Sequence, residues 1–191
     1  MRTRWGVLIS GNGSTLQTLM ECRDELDIAV VISSRAKAYG IARARRGGVP
    51  VEVIPSPLAG AANRVQAEKW VIDTLEKYRV QKIFLAGFMK IISPEFIGRF
   101  ENRIYNIHPS LLPKHKGLDA FGRALKEGDE YAGATVHEVA AEVDSGSMVL
   151  QRKFEIPTHR HENLSHLWLH INEQKVMREA LRKLKGGARF E

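Results

Sequence analysis

The sequence contains one cysteine, few aromatic residues and only short apolar runs. Because Cys22 stands alone, no disulfide can form within the chain, and we expect a reducing compartment. No apolar stretch approaches the ~20 residues that a transmembrane helix needs, and the run at 5–10 is too short for the core of a secretory signal. These absences exclude a disulfide-stabilised secreted fold and a membrane-spanning protein, and they predict a globular protein of the cytoplasm.

Positive charge exceeds negative charge in a chain that is otherwise ordinary for a folded protein. Its 191 residues are 43% hydrophobic, which suits one domain that needs neither a metal nor a disulfide to hold its core. Lys and Arg number 29 and Asp and Glu 22, a net charge of +7 that favours anionic partners. Aromatic residues make up only 7%, and the basic residues are scattered, so we expect no nucleic acid and no membrane partner.

Short β-forming runs alternate with helical patterns along the first hundred residues. The predicted strands are 5–10, 28–32, 50–54, 83–87, 104–107, 132–139 and 148–156. The predicted helices follow a glycine loop at 11–15, begin at Pro94 after a Ser93 cap, and cover 38–46, 63–77, 119–126 and 163–185. The alternation predicts an α/β fold with a mostly parallel, Rossmann-like sheet and helices on both faces. No repeat or linker interrupts the chain, so we expect one domain over 1–191.

The loop Gly11-Asn12-Gly13-Ser14-Thr15 lies between a predicted strand and a predicted helix. Free backbone N–H groups and the helix dipole favour an anion at such a position. The loop lacks the Gly-Lys-Ser/Thr of a Walker motif, and Leu16 stands where a dinucleotide fingerprint has its third glycine. A monophosphate therefore fits better than ATP or NAD, and a tight turn without a ligand is the structural alternative.

Asn106 and His108 lie two residues apart at the end of a predicted strand and so point to the same side of the sheet. In an open α/β sheet the carboxyl ends of the strands are where ligands bind. An amide donor beside an imidazole can stabilise a developing oxyanion. The alternative is a histidine that only ends a strand.

Other polar residues carry weaker signals. Asp144 lies between two strands, and it would hold His108 as imidazolium if the two met, although Asp-Ser-Gly is also a common turn. His137, within a strand, is interpreted as a structural histidine. His166 and His170 share a helix face, but without a nearby cysteine we expect no metal.

Taken together, four stretches resemble the glycinamide ribonucleotide formyltransferases, the folate-dependent transformylases of purine synthesis. They are residues 8–14, 85–94, 106–113 and 134–151, and their order and spacing are specific even though each alone is not. The resemblance implies formyl transfer from 10-formyltetrahydrofolate, as co-substrate, to the amine of glycinamide ribonucleotide, with no metal. It also implies a phosphate-binding half at about 1–100 and a folate and catalytic half at about 101–191.

The resemblance assigns a role to each matching position. Asn106, His108 and Asp144 match the catalytic trio. The implied phosphate and ribose contacts are Gly13, Ser14, Thr15, Arg64 and Glu173, and the implied folate contacts are Met89, Lys90, Ile92, Ala140, Ala141 and Val143. The chain departs from the common pattern at Thr15, Lys90 and 119–121, where many members have Asn, Arg and His-x-His. A monomer or a homodimer is expected, with two small-molecule substrates.

Three alternatives share part of this evidence. A formyltransferase for another amine, such as an amino sugar nucleotide or methionyl-tRNA, would use the same trio, but the tRNA enzymes resemble longer chains with a C-terminal β-barrel. A formyltetrahydrofolate hydrolase would also share the trio, and it normally carries an N-terminal regulatory domain. A basic, non-catalytic nucleotide- or RNA-binding module would need clustered cations interleaved with aromatics.

Overall fold

The computed structural model describes residues 2–55, 63–90, 92–157 and 162–185, and of 162–164 only the backbone. The described strands are β1 (Arg4–Ile9), β2 (Asp27–Ser33), β3 (Val51–Val53), β4 (Lys82–Leu85), β5 (Ile104–His108), β6 (Tyr131–Glu138) and β7 (Met148–Glu155). The described helices are α1 (Ser14–Glu21), α2 (Tyr39–Arg46), α3 (Arg64–Lys77), α4 (Pro94–Arg99), α5 (Ala120–Lys126) and α6 (Glu162–Lys185). The strands form one sheet in the order β3-β2-β1-β4-β5-β6-β7.

The chain divides into two compact units, residues 1–105 and 106–191, and β5 contributes to both. In the first unit β1 pairs in parallel with β2 and β4, and β2 pairs in parallel with β3. The centres of β1 and β2 are fully buried, as expected of parallel strands that helices cover on both faces. Cys22 is buried as well. The glycine loop therefore follows directly after a buried central strand, β1.

The second unit is built on an antiparallel pair. Strand β6 pairs with β7, with a register shift between Val136 and His137. Helix α5 and the long α6 supply a local core in which Phe121, Ala132 and Leu169 pack together. Because β6 and β7 are antiparallel neighbours, the connection between them has to reverse at the end where β6 finishes.

These elements confirm the predicted α/β class and the mostly parallel sheet. Each predicted strand and helix is present, with end residues that differ by one or two positions in most cases. No helix among the described ranges is long and apolar enough to span a membrane.

Candidate active site

Strand β5 ends with His108, whose side chain is almost fully enclosed. Its Nε2 lies 2.9 Å from the backbone carbonyl oxygen of His115, and a carbonyl can only accept, so Nε2 carries the hydrogen. Its Nδ1 lies 3.2 Å from Oδ2 of Asp144. The ring is thus held from both sides, and its Nδ1 lies directly beside the carboxylate.

Asp144 reaches His108 because the segment 139–147 folds back on the end of β6. The N–H of Glu138 donates to the carbonyl of Ser147 at 2.8 Å. A Cβ on Gly146 would lie only 1.8 Å from the carbonyl oxygen of Glu138, so this close return of the chain requires glycine. Asp144 itself has a left-handed backbone, with φ of +50°. The structure therefore brings together Asp144 and His108, which the sequence could not show to be neighbours.

The surroundings of Asp144 favour its charged form. Burial by itself raises the pKa of this carboxyl group. A hydrogen bond with His137, the Gly117 N–H at 2.8 Å and the charges of the two nearby histidines outweigh burial, and the pKa of Asp144 is lowered below its ordinary value. A carboxylate that stays ionised is what keeps a proton on the facing ring nitrogen.

His137 joins the same group from β6. Its Nδ1 donates to the carbonyl of Glu138 at 2.7 Å, and its Nε2 lies 3.4 Å from both Asp144 Oδ1 and Asn106 Nδ2. A neutral His137 accepts there from the Asn106 amide, and a charged one donates to Asp144. His137 is buried and hydrogen-bonded, as a structural histidine would be, but two of its partners, Asn106 and Asp144, belong to the predicted trio.

The glycine loop of the first unit is held from behind by α2. The Gly40 N–H donates to the Gly11 carbonyl at 3.1 Å, and Arg43 Nε donates to the Asn12 carbonyl at 3.0 Å. In a trans peptide the N–H points away from its carbonyl, so the following N–H groups of Asn12 and Gly13 face away from α2. Gly13 has φ of +73° and precedes α1, whose first N–H groups have no carbonyl within the helix. The loop thus presents a set of backbone donors that suits an anion.

A cavity of about 560 Å³ lies in the first unit. Its polar side chains are Arg64, Glu68 and Lys90, and its apolar walls are Leu8, Ile54, Ala67, Val71, Phe88, Met89, Ile92 and Phe96. Glu68 accepts from Arg64 Nε at 3.2 Å and from the Ser93 N–H at 2.9 Å. Met89, Lys90 and Ile92, predicted as folate contacts, therefore share one cavity, and Arg64, predicted as a phosphate contact, lies on its wall beside them.

The remaining predicted residues have separate positions in the second unit. Ala140, Ala141 and Val143 belong to the same 139–147 segment as Asp144, and the side chain of Val143 is exposed. Glu173 lies on α6, where its Oε2 is 3.6 Å from His170 Nδ1. Ser14 and Thr15 are the first two residues of α1.

Two residues of the active-site group were not predicted from the sequence as functional. His137 could have been found only by knowing that its strand lies next to β5. His115 has no motif of its own, and its carbonyl reaches His108 through the fold of a loop. His115, Glu127 and Asp129 place possible metal-ligand atoms within 4.8 Å of one another. The Lys114 ammonium already contacts Asp129, so a cation there would compete with that charge.

The whole chain resembles known formyltransferases. Residues 3–181 match the formyl transferase family. The phosphoribosylglycinamide formyltransferase of Haemophilus influenzae is 40% identical over 173 residues, which cover 88% of this chain and 80% of that protein. A human trifunctional purine biosynthetic protein, adenosine-3, is 37% identical over 97% of this chain, which spans only 19% of that longer protein.

A solved structure supports the same relationship. Glycinamide ribonucleotide transformylase 1 from Symbiobacterium toebii has a TM-score of 0.89 and 38% identity, over 97% of this chain and 89% of that one. The chain belongs to the formyl transferase family.

Proposed function

We propose that the protein transfers the formyl group of 10-formyltetrahydrofolate to the amine of glycinamide ribonucleotide, a step of purine synthesis. The observation that carries the proposal is the contact of His108 Nδ1 with the ionised Asp144, beside Asn106. The relatives named for this reaction match nearly the whole chain. The reaction belongs to the cytoplasm, where we expect the protein, and it requires small-molecule substrates only.

The formyl transfer needs groups that stabilise negative charge on the formyl oxygen. The substrate amine attacks the formyl carbon, and the carbonyl oxygen becomes an oxyanion. The charge of protonated His108 and an N–H of the Asn106 amide stabilise it, and one such group contributes roughly 10²–10³ in kcat. The carbon–nitrogen bond to the folate then breaks as the carbonyl re-forms. The proposed steps use neither a metal nor a covalent enzyme intermediate.

The proton balance assigns a role to Asp144. The attacking amine loses a proton, and the departing folate nitrogen gains one. Asp144 keeps the proton on His108 Nδ1 and orients a water molecule that carries the proton from one nitrogen to the other. Its lowered pKa suits this role, because the carboxylate is ionised throughout the neutral range.

Binding is assigned to the remaining residues. Gly13, Ser14 and Thr15 hold the substrate phosphate on the backbone donors that precede α1, and Glu173 binds the ribose hydroxyls. In the first unit the cavity that contains Met89, Lys90 and Ile92 binds the folate, and its apolar walls suit an aromatic ring. Lys90 gives that cavity a cationic group for the folate carboxylates, and Arg64, which pairs with Glu68 on the same wall, is assigned to the substrate phosphate. In the second unit Ala140, Ala141 and Val143 contact the folate.

An assay with several acceptors tests the proposal. We expect turnover with 10-formyltetrahydrofolate and glycinamide ribonucleotide, measured by the absorbance change of the folate product. His108→Asn should abolish most of it, whereas His166→Asn, on the exposed side of α6, should not. Turnover with an amino sugar nucleotide but not with glycinamide ribonucleotide would contradict the acceptor, and release of formate without any acceptor would indicate a hydrolase.

A further inference from the structure

We propose that His115 is a positioning residue for His108 and Asp144, and that its pairing with Asp129 is what holds the segment 114–117 against both. The proposal rests on the function proposed above. It concerns a residue to which no substrate contact is assigned above.

The backbone of segment 114–117 accepts a hydrogen bond from His108 and donates one to Asp144. The His115 carbonyl accepts from His108 Nε2 at 2.9 Å, and the Gly117 N–H donates to Asp144 Oδ2 at 2.8 Å. The acceptor favours a proton on Nε2, and the donor favours a negative carboxylate. Both contacts therefore support the ionised pair, and both depend on the exact course of four residues of backbone.

That course is not one the backbone adopts readily. His115 has φ of +56° and Gly117 has φ of +81°, both in the left-handed region, which a side chain with a Cβ disfavours. His115 is therefore a residue whose backbone conformation has to be imposed by its surroundings. The His115 carbonyl would lose its direction toward His108 if φ relaxed to a negative value.

The side chain of His115 supplies the restraint. It is 7% exposed, and its Nε2 donates to Asp129 Oδ2 at 2.7 Å. Asp129 also contacts the Lys114 ammonium, and the Lys114 carbonyl accepts from Ser110 Oγ at 2.6 Å. The hydrogen bonds from Lys114 and from His115 lower the pKa of Asp129, so that it remains an acceptor for both. The start of the segment is thus anchored by two side chains on one carboxylate.

A double-mutant cycle tests the pairing. We expect His115→Phe to lower kcat roughly 10- to 100-fold, because small displacements of a catalytic group are costly, with KM for each substrate changed less than about twofold. Asp129→Asn should lower kcat by a similar factor, and the double variant should show no further loss. His115→Gln keeps an N–H donor for Asp129 and should retain more activity than His115→Phe. The control is His166→Phe, an exposed histidine of α6, with unchanged kcat.

A second measurement does not depend on turnover. The ¹⁵N chemical shifts of the His108 ring show which nitrogens carry a hydrogen, and in the wild-type protein we expect one on Nε2, facing the His115 carbonyl, as well as the one that Asp144 holds on Nδ1. In His115→Phe the Nε2 hydrogen loses its fixed acceptor, and we expect the Nε2 chemical shift to change. Additive losses of kcat, or an unchanged His108 spectrum in a folded His115→Phe variant, would overturn the proposal. If no acceptor is formylated, the proposed function fails, but the His108 spectrum still decides whether His115 holds the ring.

Discussion

The orientation of the His108 ring is set by its neighbours. The His115 carbonyl fixes a hydrogen on Nε2, and the ionised Asp144 holds the exchangeable proton on Nδ1. His137 shares the second oxygen of the same carboxylate. One buried acid therefore serves two histidines, and removing its charge changes both.

Asp144→Asn is expected to lower kcat by roughly 10²–10⁴ while the KM values change little, because general acid–base and electrostatic assistance of this kind has that magnitude. Steady-state kinetics at neutral pH measures the change. Asp73→Asn, on the exposed face of α3, is the matched control. A kcat within twofold of the wild-type value in Asp144→Asn would contradict the mechanism.

Asp144→Asn is also expected to change stability in a pH-dependent way. The pKa of Asp144 is lowered from its ordinary value of 3.8, so its ionisation adds to the free energy of unfolding above that pH. This contribution is lost as the pH falls below 3.8 through the lowered pKa of the folded state. In urea titrations the wild-type protein should therefore exceed Asp144→Asn most above about pH 5, and the difference should shrink in stronger acid.

Part of the active site could be predicted from the sequence. The two-residue spacing of Asn106 and His108 places both on one side of β5, and the structure confirms that they reach the same group. The contact with Asp144 could not be derived from spacing, because it depends on the return of the segment around Gly146. His137 was interpreted as structural, because only the order of the strands shows what its ring faces.

The contact between α2 and the glycine loop relies on two glycines. A Cβ on Gly13 would lie 2.6 Å from Gly40 Cα, and a Cβ on Gly40 would lie 2.7 Å from Ile9 Cδ1 and 3.3 Å from the Gly11 carbonyl. Helix α2 can therefore approach the loop closely enough for its N–H and Arg43 to hold two successive carbonyls. The glycines were visible in the sequence, but the role of Gly40 was not, because its partner lies 27 residues earlier in the chain.

Gly40→Ala is expected to raise KM for glycinamide ribonucleotide roughly 10-fold, since the added methyl group pushes α2 from the loop and weakens its hold on the phosphate, a charge-assisted contact of about 1.5–3 kcal/mol. The kcat at saturation should change much less. Gly98→Ala is the matched control, because a Cβ on that helical glycine of α4 meets no atom within 4 Å. If Gly40→Ala lowered kcat by a larger factor than it raised KM, α2 would contribute to the chemical step and not to phosphate binding.

The positions of the elements were easier to predict than their partners. Periodicity and breaker residues located β1, α3 and β7 to within one or two residues, because those signals are local. The order of the seven strands, with β1 between β2 and β4, follows from long-range pairing that no local pattern encodes. The register shift between Val136 and His137 is likewise a property of two strands together.

The excess positive charge of the molecule is concentrated in the first unit. Residues 1–105 carry 16 Lys and Arg against 10 Asp and Glu, whereas residues 106–191 carry 13 against 12. The first unit also holds the glycine loop and the cavity with Arg64 and Lys90. From composition alone, this net charge was compatible with several kinds of anionic partner. The unit that carries most of it also holds the two sites proposed for small anions.

Ligand binding should stabilise the folded chain as a whole. At a concentration 100-fold above Kd, glycinamide ribonucleotide adds about 2.7 kcal/mol to the free energy of unfolding, and about 1 kcal/mol moves Tm by roughly 2–4 °C in a chain of this length. We therefore expect a Tm rise of about 5–11 °C by thermal scanning, and a smaller one in 0.5 M NaCl, where surface charges are screened within a few ångströms. Glycinamide riboside, which lacks the phosphate, is the matched ligand control and should shift Tm little. An equal Tm shift with both compounds, or a Tm shift that salt leaves unchanged, would contradict phosphate binding by the glycine loop. It would also mean that the positive charge of the first unit does not contribute to substrate binding.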